Sequence, residues 1–509
     1  MTQIEYLSLS KPRRFVASIS RFFVNFGKGF VNFFKKIPSR LMKLLRKCSN
    51  PFVVLFDALV RGNWMTRGNF LICGFSQFFR KQIARGILFL AFEAAFIAFM
   101  IMVGVPNLSR LGNLGSISSI DYEDPVTGLP VTKYFDNSFS ILLYSIITIV
   151  MILIFIALWY LSIRDAKSLQ DYENIGKLGS NKDFLKNLGE KDYHVVLLSV
   201  PMVGLIIFTV IPIIFMILIG FTNYTNYHVT PKYLFDWVGF KNYSDIFTSG
   251  AASDALYIKT VGEVLLWTLV WAFFATFSNY FLGMIVAILI NTKGIKLKKV
   301  WRTVLVTTIA VPQFVSLLLI SYMLNTEVGF INEFLEMLHI VTPSTHIKFL
   351  EDPIIAKVMI IVVNTWIGIP YTMLTCTGIL MNIPEDLYES ARIDGASPFK
   401  MYMKITLPYM LFVTGPYLIS SFVGNINNFN VIYLLSGGNP AYTEVPRQLS
   451  EAGRTDILIT LIYKMSMTGT YKDYGATSVL GVLIFVIVAF FSLITYSRSN
   501  AVKNEEDFQ

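Results

Sequence analysis

Two short polar stretches interrupt apolar runs and carry the side chains best suited to bind a ligand. In NTWIGIPY, Asn364, Gly368 and Tyr371 recur at helical spacing, so two hydrogen-bonding side chains flank a position without a side chain on one face. Trp366 adds an aromatic ring within the same stretch. In SSFVGNINNFN, i, i+4 and i+7 spacing forms a second polar face from Ser421, Asn425 and Asn428. These uncharged donors, acceptors and rings predict noncovalent binding of a neutral ligand rich in hydroxyl groups.

The same residue types have a second interpretation. Asn, Ser and Gly in transmembrane helices also pack helices together and form hydrogen bonds between them, and spacing alone leaves both roles open. A charged ligand would favour Arg, Lys or acidic residues, and neither stretch contains one. If these residues bind a ligand, a neutral oligosaccharide is therefore the class that fits.

The elements that must position these residues are membrane-spanning helices. The chain has 509 residues, of which 54% are hydrophobic and 15% charged, and its mean hydropathy is +0.57. Several apolar runs reach the length needed to cross a bilayer, so we predict an all-α integral membrane protein. The predicted spans, about eight in number, lie near residues 87–105, 139–162, 194–221, 262–291, 303–324, 354–380, 409–434 and 476–497.

Prolines and an acidic residue interrupt these apolar runs. The prolines predict kinks, either around a pathway or within an ordinary packed bundle, and they are Pro201, Pro212, Pro312, Pro370 and Pro416. Glu93 in the first span is costly in lipid, so we expect it to face protein or the lipid headgroups.

Basic residues are concentrated at the N-terminal end. Residues 1–86 contain 16 Lys and Arg against 2 acidic residues, a net charge of +14, whereas the remainder carries −4. Mixed with Phe, Val and Leu over residues 13–47, these bases are typical of amphipathic helices on an anionic membrane surface. The alternative is a flexible cytosolic extension that obeys the positive-inside rule. No recognised nucleic-acid-binding module accompanies the charge, so membrane lipid is the predicted partner and nucleic acid is not.

The loop charges predict the orientation. Eight spans place both termini on one side, and the basic N-terminus predicts that this side is the cytoplasm. The loops at 164–191 and 291–302 are rich in Lys, as cytoplasmic loops should be, and the intervening loops are more acidic. The polar segment 384–408, between spans six and seven, is therefore predicted to be cytoplasmic.

Segment 384–408 has the signals of two helices joined by a glycine. Pro384 begins the first helix, with acidic residues in its first turn, and Gly395 ends it. Ser397 then caps a second helix that leads into span seven. A partner that binds the short helix can move the spans attached to it.

This segment resembles the EAA loop of binding-protein-dependent ABC import permeases, E-A-A-x3-G-x9-I-x-L-P. Ser390 replaces the middle Ala, and the matching positions are Glu389, Ala391, Gly395, Ile405, Leu407 and Pro408. The loop, together with SFVGNINNFNVIYLLSGGNP and TDILITLIYKMSMTGTYKDYGATS, is similar to the MalF-type membrane subunits of maltose and maltodextrin importers over residues 193–497. The resemblance implies a type I permease core and a cytoplasmic coupling helix.

The resemblance also implies roles for individual residues. The coupling helix would dock on a separate ATPase through Glu389, Ser390, Ala391 and Gly395. Sugar-contacting positions of the maltose permease match Gly368, Tyr371, Ser421, Asn425 and Asn428. Gly424 stands where that permease has an aromatic residue, which puts the identity of the preferred sugar in doubt.

The expected partners follow from the same resemblance. They are a second homologous permease, two cytoplasmic ATPase subunits, an extracellular sugar-binding protein and an oligosaccharide of the maltose and maltodextrin class. No G-x-x-x-x-G-K-[ST] motif occurs, so ATP and Mg²⁺ are expected on the ATPase subunits. The chain itself is expected to be no enzyme, with no catalytic residue, metal or cofactor.

The predicted organisation has four parts. A basic extension occupies residues 1–86, two accessory spans 87–192, a six-helix permease core 193–497, and a cytoplasmic tail 498–509. The loop of about 40 residues after span three is too short for a sizeable domain. This short form and the basic extension resemble Gram-positive members of the family, in the bacterial plasma membrane.

Two other classes of protein give different expectations. An ATP-independent secondary transporter or channel for a small neutral solute would predict a buried ionisable relay and often inverted repeats, whereas Glu93 and Lys357 stand alone in their spans. A membrane-embedded enzyme would need a catalytic constellation at bilayer depth, but the four His residues fall at span edges or in loops. Three widely separated Cys residues favour inert thiols over a disulfide or zinc site.

Overall fold

The computed structural model describes residues 51–498 except for 126–127, 177, 180, 182–183, 185, 187–188, 248–251, 293 and 446–448. The predicted amphipathic segment 13–47 and nearly all of the predicted tail lie outside the described residues. The chain divides into two compact units, residues 1–110 with 143–211, and residues 111–142 with 212–509. Two of the long helices, α5 and α6 below, belong in part to each unit.

The described part of the first unit is helical. Its helices, including those shared with the second unit, are α1 (Pro51–Val60), α2 (Trp64–Gly68), α3 (Phe75–Phe79), α4 (Ile83–Leu108), α5 (Ser138–Asn174) and α6 (Tyr193–Ile219).

A buried polar network joins the short helices α2 and α3 to α5. The buried guanidinium of Arg80 donates to Glu173 at 2.8 Å and to Asn63 at 3.1 Å. Nearby, the Asn69 amide donates to the Ser162 hydroxyl at 2.8 Å. Because a buried charge needs partners of this kind, the part of the predicted extension after residue 50 packs on an accessory span and is not a free arm.

The Glu93 carboxylate is hydrogen-bonded to protein, as predicted. Its carboxylate accepts a hydrogen bond from the backbone N–H of Cys73 at 2.8 Å. Burial, followed by the nearby charge of Glu93, raises the pKa of the Cys73 thiol to about 11, so this thiol stays protonated and unreactive at neutral pH.

The second unit begins with a small sheet that the sequence did not predict. An antiparallel hairpin pairs β1 (Ser119–Glu123) with β2 (Pro130–Tyr134). The other helices of this unit are α7 (Lys241–Phe247), α8 (Ala252–Asn291), α9 (Lys298–Thr307), α10 (Gln313–Met323), α11 (Phe330–Met337), α12 (Pro353–Leu380), α13 (Glu385–Ile393), α14 (Pro398–Ile426), α15 (Phe429–Leu435), α16 (Leu458–Tyr463) and α17 (Tyr474–Arg498).

The candidate membrane spans confirm the predicted count with two changes. Seven single helices within the described residues are long and apolar enough to cross a membrane, namely α4, α5, α6, α8, α12, α14 and α17. The eighth candidate is the pair α9 and α10, which is bent by 88°. Val311 is extended there because the ring of Pro312 disfavours a helical conformation at the preceding residue. Span seven ends at Ile426, before its predicted end at residue 434.

Proline also explains three local changes of helix type. Three π-helical segments each end two residues before a proline, and the pairs are Met100–Gly104 with Pro106, Ile206–Val210 with Pro212, and Tyr402–Thr406 with Pro408. Proline lacks a backbone N–H and its ring crowds the carbonyl four residues earlier, so a wider turn relieves both problems. By contrast, Pro201, Pro370 and Pro416 lie inside α-helical segments.

Helix α8 is the centre of the second unit and packs on both α12 and α14. Gly283 permits the close approach to α12, because a Cβ there would lie 2.6 Å from the Cβ of Thr372. Small residues at such contacts let transmembrane helices pack closely. The three helices together position the polar residues singled out from the sequence.

Candidate ligand site and coupling helix

A cavity of about 240 Å³ lies among α8, α12 and α14. It is lined by Ala275, Thr276, Asn279, Tyr280, Gly368, Tyr371, Thr372, Tyr417, Ser421, Gly424, Asn425 and Asn428. The structure therefore brings together five predicted ligand residues, which are Gly368, Tyr371, Ser421, Asn425 and Asn428. The lining contains hydroxyl groups, carboxamides and aromatic rings, and no charged side chain.

Hydrogen bonds hold the two asparagines of this wall in place. The Asn425 amide donates to the Thr276 hydroxyl at 3.0 Å, and the Asn428 amide donates to the Asn425 side-chain oxygen at 3.3 Å. Asn428 also caps α15, because its side-chain oxygen accepts from the backbone N–H of Val431 at 3.4 Å. A carboxamide has two N–H donors and two acceptor lone pairs, so these bonds leave capacity for a ligand.

Asn279 and Gly368 form a tightly packed pair across α8 and α12. A Cβ at residue 368 would lie 2.4 Å from the amide nitrogen of Asn279, so a larger residue there would force the Asn279 side chain or the helices to move. The side-chain oxygen of Asn279 is buried and has no hydrogen-bond partner among the described residues. A buried acceptor without a partner is unusual in proteins, and here it belongs to a residue that lines the cavity.

The contribution of α8 to the cavity was missed at the sequence level. Thr276, Asn279 and Tyr280 interrupt an otherwise apolar run at i, i+3 and i+4 spacing. Helical spacing of polar residues also identified the polar faces of α12 and α14. The same criterion applied to α8 would have identified these three residues. Tyr280 is held in place because its hydroxyl accepts from the Thr414 hydroxyl at 2.7 Å.

The two remaining predicted ligand residues do not line the cavity. Asn364 lies one turn before Gly368 and is buried, and its amide nitrogen has no partner within the described part of the chain. Trp366 is 61% exposed. Gly424 does line the cavity, and a Cβ there would meet no atom within 4 Å, so this part of the site is open.

Helix α13 has the capped form predicted for the coupling helix. Glu385 and Asp386 lie in its first turn. At its end, Gly395 takes φ of +72°, its N–H donates to Arg392, and the next N–H, of Ala396, donates to the carbonyl of Ala391. These two bonds form a Schellman motif, which favours glycine at this position. Ser397 caps the following helix by accepting from the N–H of Lys400 at 3.4 Å.

The surface of α13 is open, and one side-chain bond ties it to α14. Of the predicted coupling residues, Glu389, Ser390 and Gly395 are exposed and Ala391 is half-buried. Exposed apolar side chains lie beside them, and they are Leu387, Ile393 and Phe399. The hydroxyl of Tyr388 bonds to that of Thr406 at 2.8 Å, in the π segment of α14.

Comparison with known proteins identifies the family. The family of binding-protein-dependent transport system inner membrane components matches residues 279–501. The maltodextrin transport system permease protein MdxF of Bacillus subtilis is 33% identical over 447 residues, which are 86% of this chain and 95% of MdxF. The chain belongs to this family of binding-protein-dependent permeases.

Other relatives of this permease are named for galactooligosaccharides and for maltose and maltodextrin. The galactooligosaccharides transport system permease protein GanP of Bacillus subtilis is 35% identical over 437 residues, covering 86% of this chain and 97% of GanP. The maltose/maltodextrin permease protein MalF of Escherichia coli is 35% identical over 275 residues, 53% of this chain and 51% of MalF. These relatives confirm the predicted resemblance, the permease fold and the function as a membrane component of an importer.

Proposed function

We propose that this permease forms the membrane pathway of an ATP-driven importer for neutral oligosaccharides, with maltodextrins as the leading substrate class. A second homologous permease would complete the pathway, an extracellular binding protein would deliver the sugar, and two cytoplasmic subunits would bind ATP and Mg²⁺ and hydrolyse ATP. The permease itself would need no cofactor or metal. It would lie in the plasma membrane of a Gram-positive bacterium, with both termini in the cytoplasm.

The observation that carries this proposal is the uncharged polar cavity among three candidate spans. Carboxamides and hydroxyl groups match the donors and acceptors of sugar hydroxyls, and aromatic faces match the apolar faces of sugar rings. A cavity of about 240 Å³ is smaller than the usual ligand pocket of about 300–1,000 Å³. It would therefore hold only part of an oligosaccharide.

Galactooligosaccharides are the second substrate candidate. GanP and MdxF are similar to this chain to nearly the same degree, so overall identity does not choose between the substrates for which they are named. The open space at Gly424 would admit a sugar unit that an aromatic side chain would exclude. We place maltodextrins first because of the matches to the sugar-contacting positions of the maltose permease.

The contacts of α13 support a route for coupling. Closure of the ATPase subunits would move α13, and the Gly395 turn and the bond from Tyr388 to Thr406 would transmit that movement to α14. Helix α14 carries Ser421 and Asn425, which line the cavity. Nucleotide binding would then favour one arrangement of the cavity over another, which is the thermodynamic requirement for a driven change.

The test is ATPase activity of the complete complex in liposomes, with and without the binding protein, across a panel of neutral oligosaccharides. Stimulation by maltodextrins alone is the expected result. Stimulation by galactooligosaccharides alone would select the second candidate. If no ATPase subunit co-purifies with the permease, or if activity stays flat across every sugar, the ATP-independent transporter becomes the better explanation.

A further inference from the structure

Two further cavities, each of about 500 Å³, lie at the C-terminal end of α15. Both are lined by Tyr433, Leu434, Gly437 and Asn439, so they are neighbours on either side of the same short segment. The end of α10 and Glu351 complete one cavity, and Glu451 and Lys464 contribute to the other. We call this pair of cavities the outer cavities.

The aromatic ring shared by the outer cavities is held in a fixed position. Tyr433 stacks on Phe429 with ring centroids 4.7 Å apart, and it meets Tyr463 edge-on at 5.2 Å. Phe429 and Tyr463 also contact each other, at 4.9 Å, which closes the trio. Such contacts stabilise ring orientation beyond simple burial. The Tyr433 side chain that lines both outer cavities is therefore rigidly held, and an aromatic ring is a group that can pack on the apolar face of a sugar ring.

The loop that carries Asn439 is also fixed. Its Gly438 has φ of +83° and lies directly on a buried ion pair, because a Cβ there would be 2.0 Å from the Asp456 carboxylate. That carboxylate accepts from the Lys464 ammonium at 2.8 Å. The Thr455 hydroxyl donates to the backbone carbonyl of Asn439 at 2.6 Å. These contacts hold the backbone at Asn439, whose residue surface is exposed.

Helix α15 connects the outer cavities to the cavity of the proposed transport site. Asn428 at its start lines the transport cavity, and Tyr433 and Leu434 near its end line the outer cavities. Seven helical residues span about 10 Å at about 1.5 Å per residue. One extended oligosaccharide can bridge that distance. Glu351 lines one outer cavity and lies just before the start of α12, whereas α13 follows the end of α12, so this cavity and α13 lie at opposite ends of that span. With α13 in the cytoplasm, the outer cavities would face the extracellular side.

We propose that the outer cavities form a second oligosaccharide site, which binds the sugar units that the small transport cavity cannot hold. This inference rests on the proposed function. Tyr433 would pack on a sugar ring, and Asn439, Glu351 and Glu451 would bond to sugar hydroxyls. The site would then favour longer oligosaccharides over disaccharides.

The test compares uptake of a disaccharide with uptake of linear oligosaccharides of increasing length, using the complete complex in liposomes. Asn439→Ala should raise the half-saturating concentration of the longer sugars about fivefold, the effect of one lost hydrogen bond, and leave that of the disaccharide unchanged. Tyr433→Ala should raise it about tenfold for the longer sugars. Tyr322→Ala is the matched control, because Tyr322 is an exposed aromatic residue outside the linings of all three cavities.

Several outcomes would overturn the second site. If both variants lose uptake equally for all sugar lengths, Tyr433 and Asn439 have a purely structural role. If uptake is unchanged in both variants, the outer cavities bind no sugar. Weaker binding of the extracellular binding protein, equal for every sugar length, would make this surface a protein contact. In each of these cases the wild-type complex still transports sugar. A wild-type complex that transports none of them would instead defeat the proposed function on which this inference rests.

Discussion

The cavity of the proposed transport site and α13, the proposed coupling helix, are held in opposite ways. The cavity wall is fixed by hydrogen bonds between helices, such as the one from Asn425 to Thr276, and by the close contact between Gly368 and Asn279. Helix α13 is exposed along most of its surface and is held by its caps and by the bond from Tyr388 to Thr406. The difference is physically reasonable. Residues that bind a ligand need fixed positions, whereas a coupling helix needs an exposed surface that its partner can bind.

The largest effect is expected from disrupting the C-terminal end of α13. Gly395→Pro should abolish sugar uptake while the permease still inserts, because proline cannot adopt φ of +72° and has no N–H to donate to the carbonyl of Arg392. Deletion of 389–395 should have the same effect. Uptake in liposomes and co-purification of the ATPase measure it. Gly112→Ala is the control, since a Cβ there meets no atom within 4 Å. Normal uptake by either α13 variant would end the coupling role.

The next effect comes from filling the cavity wall. Gly368→Ala places a methyl group against Asn279, so that residue must move into the cavity or the helices must separate, at a cost of about 1–3 kcal/mol. We expect the half-saturating sugar concentration to rise about tenfold or more. Gly378→Ala is the matched control on the same helix, because its new Cβ would meet no atom within 4 Å and the residue lies outside the cavity lining. Equal behaviour of the two variants would contradict the packing argument.

A smaller effect separates ligand binding from helix packing. Asn425→Ala should raise the half-saturating sugar concentration about fivefold to tenfold without lowering expression. Asn364→Ala removes a buried amide from α12 that lies outside the cavity lining. It should alter thermal stability and leave the half-saturating concentration unchanged. If Asn425→Ala changes only thermal stability, the cavity residues act in helix packing and not in ligand binding.

The smallest effect is expected from removing the hydrogen bond between α13 and α14. Tyr388→Phe removes one hydroxyl bond, with a net contribution of about 1 kcal/mol, and keeps the aromatic ring. The expected result is a modest rise in ATP hydrolysed per sugar transported, with the half-saturating sugar concentration unchanged. Tyr322→Phe, at an exposed position, is the control. An unchanged coupling ratio would show that the backbone at Gly395 transmits the movement without this bond.

Local sequence signals were enough to predict α13. Pro384, the acidic first turn, Gly395 and Ser397 each act within a few residues along the chain, and the structure shows the predicted caps. Apolar run length likewise predicted the spans, because bilayer thickness sets that length. Where local geometry was more complex, the sequence prediction was incomplete. It predicted a kink at Pro312 without the size of the bend, 88°, and it missed the end of span seven at Ile426 and the β hairpin.

The sequence by itself determined the membrane class, the capped coupling helix and the polar faces of α12 and α14, because run length, capping and helical periodicity act over short distances along the chain. Only the tertiary structure decided which polar residues share a cavity. It added Thr276, Asn279 and Tyr417 to the lining and left Asn364 and Trp366 outside it. The physical reason is that helical periodicity specifies a face of one helix, whereas a cavity depends on which faces meet, and close contacts such as Gly283 against Thr372 decide that.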